Sequence, residues 1–202
     1  LRYTIMNIVE LVLDEEQENM GIEAISIVES PAIEEDFIAL KSDEVKLAEV
    51  SKERKILMGA LLIPNKPIYR FSEDGEYYIY FSKKTVEKAS QMYLRNGNQN
   101  NSTLEHQHEL SGLTLVESWI VEDEVHDKSR KYGMDVPVGT WMGTMKVNND
   151  QVWDDYVKMG KVKGFSIEGY FADKIQKPKV DMSSDQSEII LKKIKKILTD
   201  EV

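Results

Sequence analysis

Residues 55–64 read Lys-Ile-Leu-Met-Gly-Ala-Leu-Leu-Ile-Pro. Apolar side chains occupy nearly every position of 56–63, whichever way each one points. Such a short, uninterrupted run predicts a strand buried on both faces, and Pro64 ends it. Downstream, Ile68–Phe71 and Tyr77–Phe81 flank Ser-Glu-Asp-Gly-Glu, which predicts a hairpin. Strand signals recur at 3–13 (Tyr-Thr-Ile-Met-Asn-Ile-Val-Glu-Leu-Val-Leu) and at 24–28 (Ala-Ile-Ser-Ile-Val), before Pro31. They recur again at 103–108, 114–121, 140–147 and 162–171.

Helical signals are fewer. Over 83–94, Val86, Ala89, Met92 and Tyr93 fall on one face, and Asn96-Gly97-Asn98 ends the segment. Asn149 or Asp150 caps a short helix with Val152, Trp153 and Tyr156 turned inward, closed by Gly160. Residues 188–199 read as an amphipathic helix with Ile190, Ile194, Ile197 and Leu198 on one face, so self-association is expected. Trp119, Trp141 and Trp153 read as core. Residues 32–54 and 176–187 are polar and weakly patterned. The expected organisation is three-part: N-terminal strands and an acidic arm (1–54), a core domain (55–175), then a linker and terminal helix (176–202). The expected fold class is α+β, a β-barrel or strongly curled, mostly antiparallel sheet with peripheral helices.

Composition narrows the chemistry. The 202-residue chain has no cysteine, which excludes disulfides, thiolate catalysis and cysteine zinc sites. A net charge of −10 argues against nucleic-acid binding through the global field. No apolar run reaches membrane-spanning length and no signal segment opens the residues given, so no membrane association is expected.

Only three histidines are present: His106, His108 and His126. On a strand, His106 and His108 would share a face. The pair could hold a metal, one of them could serve as a general base, or both could be ordinary surface residues. A cupin-type metal site would need a glutamate four or five residues after the pair, where Gly112 and Leu113 stand. His126 lies in a charged stretch, so the metal reading weakens and no metal or cofactor is expected. The second feature is Lys-Gly-Phe-Ser-Ile-Glu-Gly-Tyr-Phe (163–171). Ser166 is a polar residue in an aromatic, apolar run. It either fills a small space or acts as a nucleophile, and a serine hydroxyl needs a base for the latter. Glu168 would share its face, and Gly164 could free backbone amides for an oxyanion.

Several stretches together resemble the XkdF-like phage serine proteases. They are Thr-Leu-Glu-His-Gln-His (103–108), Val-Glu-Ser-Trp-Ile-Val-Glu-Asp (116–123), Asp-Lys-Ser (127–129), Val-Gly-Thr-Trp-Met (138–142), Val-Trp (152–153) and Gly-Phe-Ser-Ile-Glu-Gly-Tyr-Phe (164–171). The earlier segment 21–34 resembles that family too. The resemblance implies a prohead (capsid-maturation) protease with a barrel like that of the herpesvirus assembly protease. The implied activity is a serine endopeptidase digesting scaffold and major capsid proteins, inside the immature capsid in the host cytoplasm. Ser166 would be the nucleophile and His106 the base, since His106-Gln107 fits the nearer relatives. His108-Glu109 fits the wider group and keeps His108 as the alternative. Glu117 is the expected orienting acid and Glu168 its alternative. The competing readings are an inactive virion module with this fold and, after it, a His-x-His metalloenzyme.

Overall fold

A computed structural model describes residues 7–13, 20–31, 38–40, 54–72 and 75–174. Among the described residues, twelve strands form three four-stranded sheets. The first sheet holds β1 (Asn7–Val12), β5 (Ile68–Ser72), β6 (Gly75–Phe81) and β12 (Ala172–Lys174), in the order β12-β1-β6-β5. The second holds β3 (Ile38–Leu40), β4 (Ile56–Leu62), β9 (Leu113–Ile120) and β10 (Trp141–Val147), in the order β3-β4-β10-β9. The third holds β2 (Gly21–Val28), β7 (Ser102–Leu104), β8 (His108–Leu110) and β11 (Gly164–Tyr170), in the order β11-β2-β7-β8. Neighbours are antiparallel except β1 with β6 and β2 with β7. The architecture is mixed α+β and strand-rich, and among the described residues the sheets do not close into a barrel.

The continuous apolar run became β4, whose residues 57–62 are all buried, and the hairpin β5–β6 formed as expected. Helix α1 (Lys83–Arg95) starts at Ser82, whose hydroxyl accepts from the Thr85 N–H at 3.4 Å. Its face Val86, Ala89, Met92 and Tyr93 is buried, and α1 lies against β2, β9 and β10. Tyr93 meets Trp141 edge to face, with ring centroids 5.6 Å apart. Two single-turn helices follow, α2 (Lys128–Lys131) and α3 (Asp150–Val152), the latter widening into a π-turn over 153–157. Asn149 caps α3 by accepting from the Val152 N–H at 3.0 Å. Trp141 and Trp153 are core residues, whereas Trp119 is half-buried with Lys128 over its ring.

Three expectations need amending. Residues 103–108 are not one strand: β7 ends at Leu104 and β8 begins at His108, with a tight turn between them. Within the stretch 32–54, which was read as linker or arm, residues 38–40 pair with β4. The β2 strand begins three residues earlier than 24 and sits inside the third sheet between β7 and β11. The expected segment 176–187 and helix 188–199 lie outside the described residues.

Candidate active site

The site begins with β2. Ile25 and Ile27 face the core and are fully buried. Ala24 and Ser26 therefore point to the opposite face of the sheet. Ser26 is directly opposite Ser166 on β11 and Thr103 on β7. The three residues thus stand in a row on one face, with opposed Cβ atoms about 5 Å apart. On β11, Phe165 is fully buried on the core side. Burying such a ring contributes roughly 2–3 kcal/mol and holds the strand that carries Ser166. Ser166 itself is half-buried, and its hydroxyl makes no hydrogen bond to any described residue.

Glu168 follows Ser166 on the same face. Its neighbour across β2 is Ala24, whose small side chain lets the carboxylate reach over the strand toward β7. There Oε1 accepts a hydrogen bond from the Thr103 hydroxyl and lies 3.0 Å from Nδ1 of His106. An ionised carboxylate only accepts, so this bond places the neutral ring's proton on Nδ1 and leaves Nε2 as the basic nitrogen. The two side chains are 42% and 30% exposed, so the pair remains open to a substrate.

His106 owes its position to the backbone. In the turn between β7 and β8 the Gln107 N–H donates to the Leu104 carbonyl at 3.0 Å. The two central residues, Glu105 and His106, both have positive φ, 52° and 58°. Asn and Gly normally fill such positions; other residues cost about 1–2 kcal/mol each there. Two bonds offset that cost. The His106 N–H donates to the Ser26 hydroxyl at 3.0 Å, and the Glu105 carboxylate accepts from the Glu29 N–H at 2.7 Å. Ser26 is fully buried beneath this turn and ties it to the strand opposite Ser166.

His108 does not share the face of His106, contrary to the alternation expected of a single strand. It opposes Leu104, while Glu109 opposes Thr103. Glu109 therefore lies on the face of Ser26 and Ser166, and His108 on the other. Glu117 also stands apart. It lies on β9 in the second sheet, where its carboxylate is bonded by the Lys128 ammonium. That bond holds its carboxyl below the usual range. Glu117 makes no hydrogen bond to His106, whereas Glu168, the alternative acid, does. Gly164 is buried at the start of β11 opposite Val28. His126 is bonded to Asp123 in its own turn, and among the described residues no three His, Asp or Glu side chains gather as metal ligands.

Ser26 and Thr103 did not emerge from the sequence. A signal for Ser26 was present: a serine inside Ala-Ile-Ser-Ile-Val has the same oddity as one inside Gly-Phe-Ser-Ile. Gly169 permits a close approach between β11 and β2. A Cβ there would lie 2.1 Å from the Gly21 carbonyl oxygen, at the point where the β11–β2 register shifts.

A serine, a histidine and a carboxylate on one sheet face are the residue types of a serine hydrolase. The chain belongs to the XkdF family: a family model described as "Putative phage serine protease XkdF" matches residues 44–176, more than half of the chain. No curated protein and no solved structure matches it.

Proposed function

We propose that this chain is a serine endopeptidase of the prohead type, with Ser166 as nucleophile, His106 as general base and Glu168 as the residue that orients the imidazole. The observation that carries this reading is the 3.0 Å approach of His106 Nδ1 to Glu168 Oε1, on the face and strand of Ser166. In the reaction, Nε2 of His106 takes the Ser166 proton as Oγ attacks a peptide carbonyl. The imidazolium then protonates the leaving amine, and water, deprotonated by the same histidine, releases the acyl group from Ser166. Glu168 and the Nδ1–H it accepts fix the ring so that Nε2 stays available. The oxyanion falls to backbone amides near Gly164.

The biological setting belongs to the same proposal: cleavage of scaffold and capsid precursors within the immature phage capsid, by a chain that self-associates. So does kinship with the barrel of the herpesvirus assembly protease, supported by the close approach of β11 to β4 between the second and third sheets. A second reading, a virion module with this fold and no activity, draws on the Ser166 hydroxyl having no bond to His106 in the unliganded molecule. Labelling by a fluorophosphonate decides between them. Wild type should be modified at Ser166 and Ser166→Ala should not; an unlabelled but folded wild type supports the inactive module.

A further inference from the structure

A cavity of about 220 Å³ opens beside Ser166. Its wall comes from three places: Leu61 and Leu62 at the end of β4, Ile68, Ile79 and Phe81 of the first sheet, and β11 itself. The lining is apolar apart from Ser166 and Arg70. All five wall residues named from β4, β5 and β6 are themselves buried, so the cavity is cut into the core rather than lying on the surface.

The cavity runs along one edge of β11. Phe165 and Ile167 line it from the core face of that strand, and Ser166 lines it from the other face. A space touched by both faces must lie at the strand's edge. One edge is taken by β2; β4 runs close to β11 without pairing with it. The backbone agrees. Ile25 N–H donates to Asn101 and Glu105 N–H to the Ile27 carbonyl, so these two β2 residues address β7. Their neighbour Ser26 addresses β11, and its partner Ser166 addresses β2. Main-chain groups alternate sides along a strand, so those of Ile167 face the unpaired edge, beside the cavity.

We propose that the cavity receives one large apolar side chain of a substrate peptide whose scissile bond lies at Ser166. The inference rests on the protease reading and names its substrate class: a peptide with an aliphatic or aromatic residue close to the scissile bond. A pocket for one side chain supplies selectivity. An apolar wall without a buried charge favours a larger apolar group, at roughly tenfold or more for a few methylene groups.

The test is a panel of peptides differing at single positions from Ala to Leu to Phe, cleaved by wild type and two variants. Ile68 and Ile79 face each other across β5 and β6 and both line the cavity. Ile68→Phe narrows it and should lower the Phe-over-Ala ratio of kcat/KM at one position at least tenfold. Ile79→Ala widens it and should raise that ratio, so the two variants move in opposite directions. Thermal melts identify any variant that fails to fold, and the other then carries the test. Wild type that labels at Ser166 but shows no apolar preference overturns the pocket alone, as does a ratio unmoved in the folded variants. Wild type that neither labels nor cleaves overturns the protease reading, and the pocket with it.

Discussion

The imidazole Nδ1 of His106 lies 3.0 Å from the Oε1 of Glu168, across the intervening strand β2 and 62 positions apart in the chain. The same oxygen accepts the Thr103 hydroxyl. Two donors on one carboxylate oxygen hold Glu168 over Ala24 and leave the far nitrogen of the ring free. In the proposed mechanism this arrangement favours Glu168 over Glu117 as the orienting residue.

Glu168→Gln should therefore lower kcat by about 10³–10⁴-fold, the scale seen when an orienting carboxylate becomes an amide in serine triads. KM should change little, because the carboxylate acts through the histidine. Glu117→Gln should leave kcat near wild type, since Glu117 is bonded to Lys128 on a different sheet. Steady-state kinetics on the two variants separates these outcomes; a larger loss in Glu117→Gln would return the role to that residue.

His106 occupies a backbone conformation suited to glycine, with φ of 58°. His106→Ala and His106→Gly both remove the base and should both abolish turnover. Only glycine relieves the backbone, so His106→Gly should be the more stable of the pair by about 1 kcal/mol. Urea denaturation measures the difference. Equal stabilities would mean that the turn relaxes around residue 106. His108→Ala, on the opposite face, should retain most of the activity.

Gly169 has no room for a side chain, because the Gly21 carbonyl and the Ile22 Cα stand where one would go. Both obstacles are backbone, so neither can swing aside. Gly169→Ala should cost about 3 kcal/mol or separate β11 from β2. Circular dichroism melts would show this as a lowered midpoint; a wild-type midpoint would mean that the strands are less tightly apposed.

Burial raises the Tyr93 phenol above its ordinary value of 10. The folded chain then keeps that proton at a pH where the unfolded chain releases it. The unfolded state binds fewer protons, so stability is intact below about pH 10 and falls as pH rises beyond it. Tyr93→Phe should flatten this alkaline limb while keeping the packing against Trp141. Parallel limbs in the two proteins, measured by denaturation from pH 9 upward, would assign the loss to other groups.

Much of this molecule was legible from local pattern. The run at 56–63 could only be satisfied by burial on both faces, and β4 is buried throughout its last six residues. The spacing of Val86, Ala89, Met92 and Tyr93 pointed to both α1 and its inward face, and the cap of α3 was narrowed to Asn149 or Asp150, of which Asn149 holds it. These features depend on neighbours within about four positions, where side-chain periodicity carries the information. Ser166 and the histidine pair also stood out, because polar groups in apolar or paired settings break that periodicity. Their proposed partnership was not local. Which histidine lies on the Ser166 side of the sheet depends on a turn at Glu105–His106 whose left-handed backbone no common turn motif signals. Which carboxylate meets it depends on the register that sets Glu168 opposite Ala24 and Thr103 beside Ser26. Register between strands far apart in sequence is chosen by the whole packed core, so the composition of the site was decided only when the three sheets came together.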